Sequence, residues 1–224
     1  MNIDMSNRCR IFPFHLLIAK FDGKESWLPY YMHLMDTAGI MERLVSHWLP
    51  AHVSEIVLEN DSTIDLSKLC RFIALVHDIG KATPIFQAKI CNRSDYLKER
   101  MEASGICIQS FSSFFDSSKT PHSFAGEAIL LRKGCPEGIA AIVGAHHGSP
   151  YQGTEDPEDL IEYYEENFYG NKGKSDPQGQ IWNQIWENWI EIALLYSDYS
   201  NLNELPEIDA PIQMLLSGLL MMAD

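Results

Sequence analysis

Apolar residues in this chain recur at intervals of three and four, and nowhere do they settle into the alternation of a half-buried strand. The clearest stripe, Leu34, Ala38, Met41, Val45 and Trp48, has 4-3-4-3 spacing and reads as one face of a helix between Trp27 and Trp48. A second helix has Asp65 or Ser67 as its cap, Leu69, Phe72, Ile73 and Val76 as its apolar face, and Gly80 as its stop. Prolines punctuate the middle of the chain. Thr83-Pro84 reads as an N-cap with Pro in the first turn, and Pro121 and Pro136 open two more helices, the second ended by Gly148-Ser149-Pro150. Ser110–Thr120 and Gly170–Gly179 read as loops and Glu155–Glu166 as an acidic amphipathic piece. Ile181–Tyr196 is a Trp-rich helix, and Pro206–Asp224 supplies a very apolar final one. With no repeat and no long linker, the expectation is one all-α domain over 1–224.

Composition narrows the setting. Apolar residues are 46% of the 224, enough for a sizeable core, and no apolar run approaches the roughly 20 residues of a membrane span. Arg8 and Arg10 precede Ile11–Ala19, but Pro13 and His15 interrupt that run and no small-residue cleavage site comes after it, so no secretory signal is expected. The five cysteines, Cys9, Cys70, Cys91, Cys107 and Cys135, are scattered and contain no CxxC. A disulfide framework and a thiolate zinc site are not expected, and a reducing cytoplasm fits. The net charge of −14 leaves no basic footprint for nucleic acid. A nucleic acid is then open only as a substrate held locally, by bound metal ions and a few Lys or Arg. Gly173-Lys174-Ser175 mimics the end of a phosphate-binding loop, but that motif needs Gly at 168, where Phe168 stands. It reads as a solvated loop.

The chemistry concentrates in histidines that end apolar stretches. His77 and Asp78, within Leu75-Val76-His77-Asp78-Ile79-Gly80-Lys81, put an imidazole beside a carboxylate that can bridge two cations. Alone, such a pair is as easily a solvated helix end. His146-His147-Gly148 can turn both rings to one site if the helix unwinds there; otherwise one ring is buried and the other exposed. His33 borders the stripe of its helix and His122 starts another, and each alone is an ordinary structural histidine. Asp224 comes directly after Leu219-Leu220-Met221-Met222-Ala223, and its position alone favours a solvated end. Together, these residues have the number and type of a dinuclear metal site.

In that order and context the chain resembles the HD superfamily of metal-dependent phosphohydrolases. More narrowly, it is similar to the HD nuclease domain of the CRISPR-associated helicase-nuclease of type I systems. The resemblance rests on His33-Leu34-x-Asp36, on His77-Asp78-Ile79-Gly80-Lys81-Ala82-Thr83-Pro84-x-Phe86-Gln87, on His122-Ser123, on His146-His147-Gly148 and on Leu219-Leu220-x-x-Ala223-Asp224. It implies an HD-domain helical bundle. It implies one metal on His33, His77, Asp78 and Asp224, and a second on Asp78, His122, His146 and His147, with Asp78 bridging. Lys81 would neutralise the scissile phosphate. The ions would be Mn, Fe, Co or Ni, with Mg and Zn also open. The reaction implied is hydrolysis of single-stranded DNA, and the partners are a helicase and the guide-RNA surveillance complex that exposes the strand. Family members continue past this Asp into the helicase, whereas this chain stops at it. A stand-alone subunit and a piece of a longer protein are both open. Two other readings compete: an HD phosphohydrolase for small nucleotides, and an inactive HD module that docks partners.

Overall fold

The computed structural model describes residues 14–60, 64–154 and 156–224, the side chains of 56–60 excepted. Arg8, Cys9, Arg10, Ile11, Pro13 and Glu155, to which the sequence assigns roles, lie outside the described residues. The described residues form eleven helices and one two-stranded ribbon. In order they are β1 (Ile18–Phe21), β2 (Trp27–Pro29), α1 (Tyr30–Arg43), α2 (Ala51–Asn60), α3 (Leu66–Val76), α4 (Pro84–Cys91) and α5 (Asp95–Glu102). Then come α6 (His122–Arg132), α7 (Glu137–Ala145), α8 (Leu160–Tyr163), α9 (Glu165–Tyr169), α10 (Pro177–Tyr196) and α11 (Ala210–Ala223). The mostly helical expectation holds. No described helix is long and apolar enough to cross a membrane.

The helix α3 is the axis of the core. Asp65, not Ser67, caps it, accepting from the Lys68 amide at 3.1 Å. Leu69, Cys70, Phe72, Ile73, Leu75 and Val76 are all buried, and only a narrow stripe with Ser67, Lys68 and Arg71 reaches solvent. Each large side chain there contributes on the order of 2 kcal/mol by leaving water. Helices α1, α7, α10 and α11 all pack on α3. Two tryptophans of α10 brace the end of α3 and the turn beyond it: Trp189 Nε1 donates to the Leu75 carbonyl and Trp186 Nε1 to the Ala82 carbonyl, both at 2.6 Å.

Helices α2 and α5 lie where the sequence reading assigns no element, and α11 begins at Ala210 rather than Pro206; four further departures each have a physical reason. The ribbon β1–β2 is not expected from the sequence; strands of four and three residues carry too little alternation to be seen. Its turn is set by Asp22, whose Oδ1 accepts from the amides of Lys24 and Ser26. The stripe of α1 is buried through Met41, and Val45 beyond the helix still packs on the core half-buried. The chain then passes through a π-helical turn, Leu44–Trp48, which rotates Trp48 to 58% exposure. Pro84 does open α4, but Thr83 does not cap it; its hydroxyl turns back to the Gly80 carbonyl at 2.8 Å. Finally, Gly80 does not stop α3, which ends at Val76. Gly80 lies in the 3-10 turn Ile79–Lys81. A Cβ there would strike the His122 carbonyl and the Gly126 amide, so this position allows the turn to lie against the start of α6.

Candidate metal centre

Each candidate side chain leaves its element where regular backbone ends or meets the core. His33 faces inward from the first turn of α1, and the Thr37 hydroxyl one turn on bonds its carbonyl at 2.9 Å. His77 and Asp78 come just after the last residue of α3 and are fully buried. His122 is the first residue of α6, and the Gly80 contact presses that helix end towards Asp78. His146 and His147 come just after α7. The helix unwinds there because Gly148 takes φ +82°, a left-handed conformation that glycine adopts without strain. Asp224 lies just past α11, and its carboxylate turns inward, with the side chain only 15% exposed.

These residues converge as two adjoining groups, His33/His77/Asp78/Asp224 and His122/His146/His147, each with ligand atoms mutually within 4.8 Å. Asp78 stands between them. Its Oδ2 faces the first group, 2.8 Å from His33 Nε2 and 3.3 Å from His77 Nε2. Its Oδ1 faces the second, 3.3 Å from His122 Nε2 and 3.4 Å from His146 Nε2. Asp224 Oδ1 completes the first group at 3.2 Å from His33 Nε2 and 3.7 Å from His77 Nε2. His147 Nε2 lies 2.8 Å from His122 Nε2; two lone pairs cannot face at that distance, so one ring carries the proton between them.

The donor chemistry suits cations. The Nδ1 of His77 lies 2.8 Å from the Ala74 carbonyl, and that of His146 lies 2.6 Å from the Val143 carbonyl. A carbonyl only accepts, so both Nδ1 atoms carry hydrogen and both Nε2 atoms point inward, where a bound cation would take the place of any proton on them. His77 Nε2, His146 Nε2 and Asp78 Oδ1 are buried without any hydrogen-bond partner. Orphaned buried polar atoms are costly, and three aimed at one place are what a metal centre leaves in a protein. The buried His/Asp cluster is therefore compatible with a metal site.

The electrostatics differ across the cluster. Burial works to raise the Asp78 carboxyl, but the charge of His77 and the imidazoles of His146 and His33 outweigh it and hold it well below its ordinary value. Burial works to lower His77, yet Asp78 and Asp224 raise it to about 9. His33 and His77 hold Asp224 well below the carboxylate range. Burial drives His122 down to about 3, and Lys81, His146 and His147 push the same way. His147 is lowered too, first by burial and then by His146.

Lys81 is 5% exposed and places its ammonium directly on Asp78 Oδ2, with the Phe86 ring 5.8 Å away. Several supporting residues escape the sequence reading. Gln87, fully buried on α4, donates to the carbonyls of Ile18 and Lys81 at 3.0 and 2.8 Å and accepts from the Ile18 amide, tying the ribbon to the Lys81 backbone. Gln87 closes the resembling segment that begins at His77, but the sequence assigns it no role. Lys20 on β1 reaches Asp224 Oδ1 at 3.4 Å. Glu127 on α6 is buried with Oε2 unpartnered, packed where a Cβ on Gly144 of α7 would collide with it. Asp36, part of the resembling segment, is exposed on the outer side of α1.

Residues 19–224 match the family model described as Cas3, HD domain. The chain belongs to the Cas3 HD domain family. It is 34% identical over 209 residues to the CRISPR-associated nuclease/helicase Cas3 of Streptococcus thermophilus, covering 88% of this chain and 22% of that protein. Identity to the CRISPR-associated endonuclease/helicase Cas3 of Thermus thermophilus is 31% over 149 residues, 64% of this chain and 14% of that one. The chain thus spans about a fifth or less of these relatives. The fold is also that of a crystallised CRISPR-associated protein, at TM-score 0.65 and 22% identity over 97% of this chain and 23% of that one. T. fusca Cas3 matches at TM-score 0.63 and 19% identity, over 93% and 22%.

Proposed function

We propose that residues 1–224 form one metal-dependent nuclease domain that hydrolyses single-stranded DNA in type I CRISPR interference, in the cytoplasm. It would act with a helicase, as part of one chain or as a partner, on strands that a guide-RNA surveillance complex exposes. The single observation that carries this reading is the division of Asp78: one oxygen serves His33 and His77, the other serves His122 and His146, and three buried ligand atoms have no partner. The names of the relatives, nuclease/helicase and endonuclease/helicase, point the same way.

His33, His77, Asp78 and Asp224 would hold one cation, and Asp78, His122, His146 and His147 the other. Imidazole-rich ligation argues against Mg alone and for Mn, Fe, Co or Ni, with Zn also open. When bound, such a pair supplies an activated water and positive charge for the leaving oxygen of a phosphodiester. The chain's own residues orient the rest. The carbonyls of Ala74 and Val143 fix the His77 and His146 tautomers, and Gly80 keeps His122 beside Asp78. Lys81 brings a point charge that can turn from the carboxylate to a phosphate oxygen. With no other domain needed for this chemistry, cleavage should be independent of ATP.

The test compares circular single-stranded DNA with the same circle made duplex, each with Mn²⁺, Co²⁺ or Ni²⁺, with chelator, and with ATP. Endonucleolytic cutting of the single-stranded circle alone, lost with chelator and indifferent to ATP, is expected. Equal cutting of both circles contradicts the reading. Hydrolysis of free nucleotides without DNA cleavage replaces it with a small-nucleotide phosphohydrolase, and inertness in every assay replaces it with a docking module.

A further inference from the structure

One cleft outside the metal cluster has a composition that metal-dependent hydrolysis leaves unused. It encloses about 500 Å³ between the loop before α6, the segment after Gly148, and α8. Phe115, Phe124, Tyr151, Tyr163 and Tyr164 line it, and Lys119 supplies the one cationic side chain in its lining. Phe124 and Tyr151 set a fixed wall, with rings edge to face and centroids 5.3 Å apart. Phe115 and Tyr163 are 74% and 64% exposed. Exposed rings of that size are unfavourable in water and suit a partner with flat faces.

The cleft is joined by backbone to one half of the metal cluster. Phe124 is two residues beyond His122 on α6, and Tyr151 is four beyond His147. Two helical positions differ by about 200° around the axis, so Phe124 and His122 leave α6 on opposite sides. The cleft is therefore not a wall of the metal site. It lies around the start of α6, where a polymer held at the metals would run a little way beyond its reacting bond. We propose that this cleft is a base-stacking subsite for single-stranded DNA flanking the scissile phosphodiester, with Lys119 against the backbone phosphate. The inference rests on the nuclease reading of the metal centre.

The chemistry is specific to unpaired nucleotides. Every base has a π-face, so aromatic stacking holds a strand without reading its sequence, and a duplex offers no free faces. Of the acidic groups beside the cleft, Glu158 and Glu162 are engaged by Arg132, at 2.5 and 2.8 Å, while Asp116, Asp156 and Asp159 stay exposed, so the rings rather than the local field must hold a strand. In a chain of net charge −14, uncharged rings with one lysine are a better handle on DNA than charge alone.

The test uses the whole 224-residue chain and three probes: labelled oligothymidylate of about 20 nucleotides, an abasic strand of the same length, and bis(p-nitrophenyl) phosphate. Phe115 and Tyr163 are exposed, so replacing them leaves the core untouched. The Phe115→Ala/Tyr163→Ala double variant should bind oligothymidylate about fivefold or more weakly. It should hydrolyse bis(p-nitrophenyl) phosphate with Mn²⁺ at the wild-type rate, because that ester is too small to span both places. Tyr163→Trp should bind oligothymidylate at least as well as wild type, and wild type should bind the abasic strand poorly. Unchanged oligothymidylate binding in the double variant, equal wild-type affinity for the abasic strand, or no wild-type binding of oligothymidylate would each overturn the subsite. Failure of the nuclease reading shows separately, as wild-type chain that hydrolyses neither the ester nor circular single-stranded DNA with metal.

Discussion

The two halves of the metal cluster are built to different standards. His33, His77 and Asp78 are all 3% exposed or less, and they come from α1 and the end of α3, which the core immobilises. Trp189 and Trp186 of α10 clamp the carbonyls on either side of His77-Asp78. The other half, His122, His146 and His147, sits on the start of one helix and the end of another; His146 is buried, His122 half-buried and His147 exposed, whereas in the first half only Asp224 is exposed. Behind it, α6 packs on α7 through the buried, unpartnered carboxylate of Glu127. The first half offers carboxylates and imidazoles, the second imidazoles with one shared oxygen. If each half takes an ion as proposed, a more anionic pocket beside a neutral one should bind the two with unequal affinity, the His122 side being the first to empty.

Removing the shared ligand should erase that distinction. Asp78→Ala takes one oxygen from each half and strands Lys81 without its partner. Metal content should fall at both positions, and cleavage should fall on the order of 10³-fold or more, since the loss of metal-supplied charge stabilisation amounts to several kcal/mol. Elemental analysis and a nuclease assay on the folded variant check this. Near-normal cleavage would remove the bridging role from Asp78.

Gly80→Ala should instead separate the halves. The new methyl meets backbone, the His122 carbonyl, which cannot give way as a flexible side chain would. A cost of about 3 kcal/mol is expected from overpacking of this kind. The His122 side should lose its ion while the His33 side keeps it, read as one metal per chain against the two expected for wild type. Loss of both ions would mean that the two halves are not independent.

This contrast also explains how much of the site is legible in the amino-acid sequence. The His77-Asp78 and His146-His147-Gly148 pairs are visible because an apolar helical period ends at each, and local pattern marks such ends. The helices of the core are visible for the same reason. What joins the halves is not. The Gly80–His122 contact, the tryptophan bonds to Leu75 and Ala82, and the Gln87 link to Ile18 connect residues from 42 to 114 positions apart. No local period records such pairings. The β1–β2 ribbon is hidden by its shortness, and the true role of Gly80 by a second plausible one, since a glycine after an apolar helix reads as a stop.

The support behind the looser half should carry a pH dependence of its own. Burial, and then the charge of Asp156, raise the Glu127 carboxyl from an ordinary 4.5 to about 7. The folded chain therefore holds this proton over a range where the unfolded chain has released it. Between pH 4.5 and 7 the folded state binds more protons, so this group's contribution to stability falls as pH rises, then levels off above 7. The total decline is at most about 3 kcal/mol. Glu127→Gln stays neutral throughout. Denaturant unfolding in chelator should find the variant more stable than wild type at about pH 8 and matched to it near pH 4. Parallel stability curves would mean that the carboxylate is solvated when charged, and that the second half gains its looseness from exposure alone.

The smallest effect tests whether Lys81 serves the ions or the substrate. Its ammonium now lies on the Asp78 oxygen that faces the first half, 5% exposed and three residues past that aspartate. A lysine that only steadied Asp78 would, when removed, loosen the carboxylate and lower the metal content of the first half. A lysine that serves a phosphate behaves oppositely. Protonated, it repels cations, so deleting it leaves metal content equal or higher while the scissile group loses one point charge. Lys81→Ala should therefore keep both ions and lower cleavage about tenfold, the scale of one charge-assisted contact near 1.4 kcal/mol. Lys81→Arg restores the charge but not its shape, and should recover part of the rate. Metal analysis beside cleavage rates decides the matter: a fall in bound metal that tracks the fall in rate would return Lys81 to the support of Asp78.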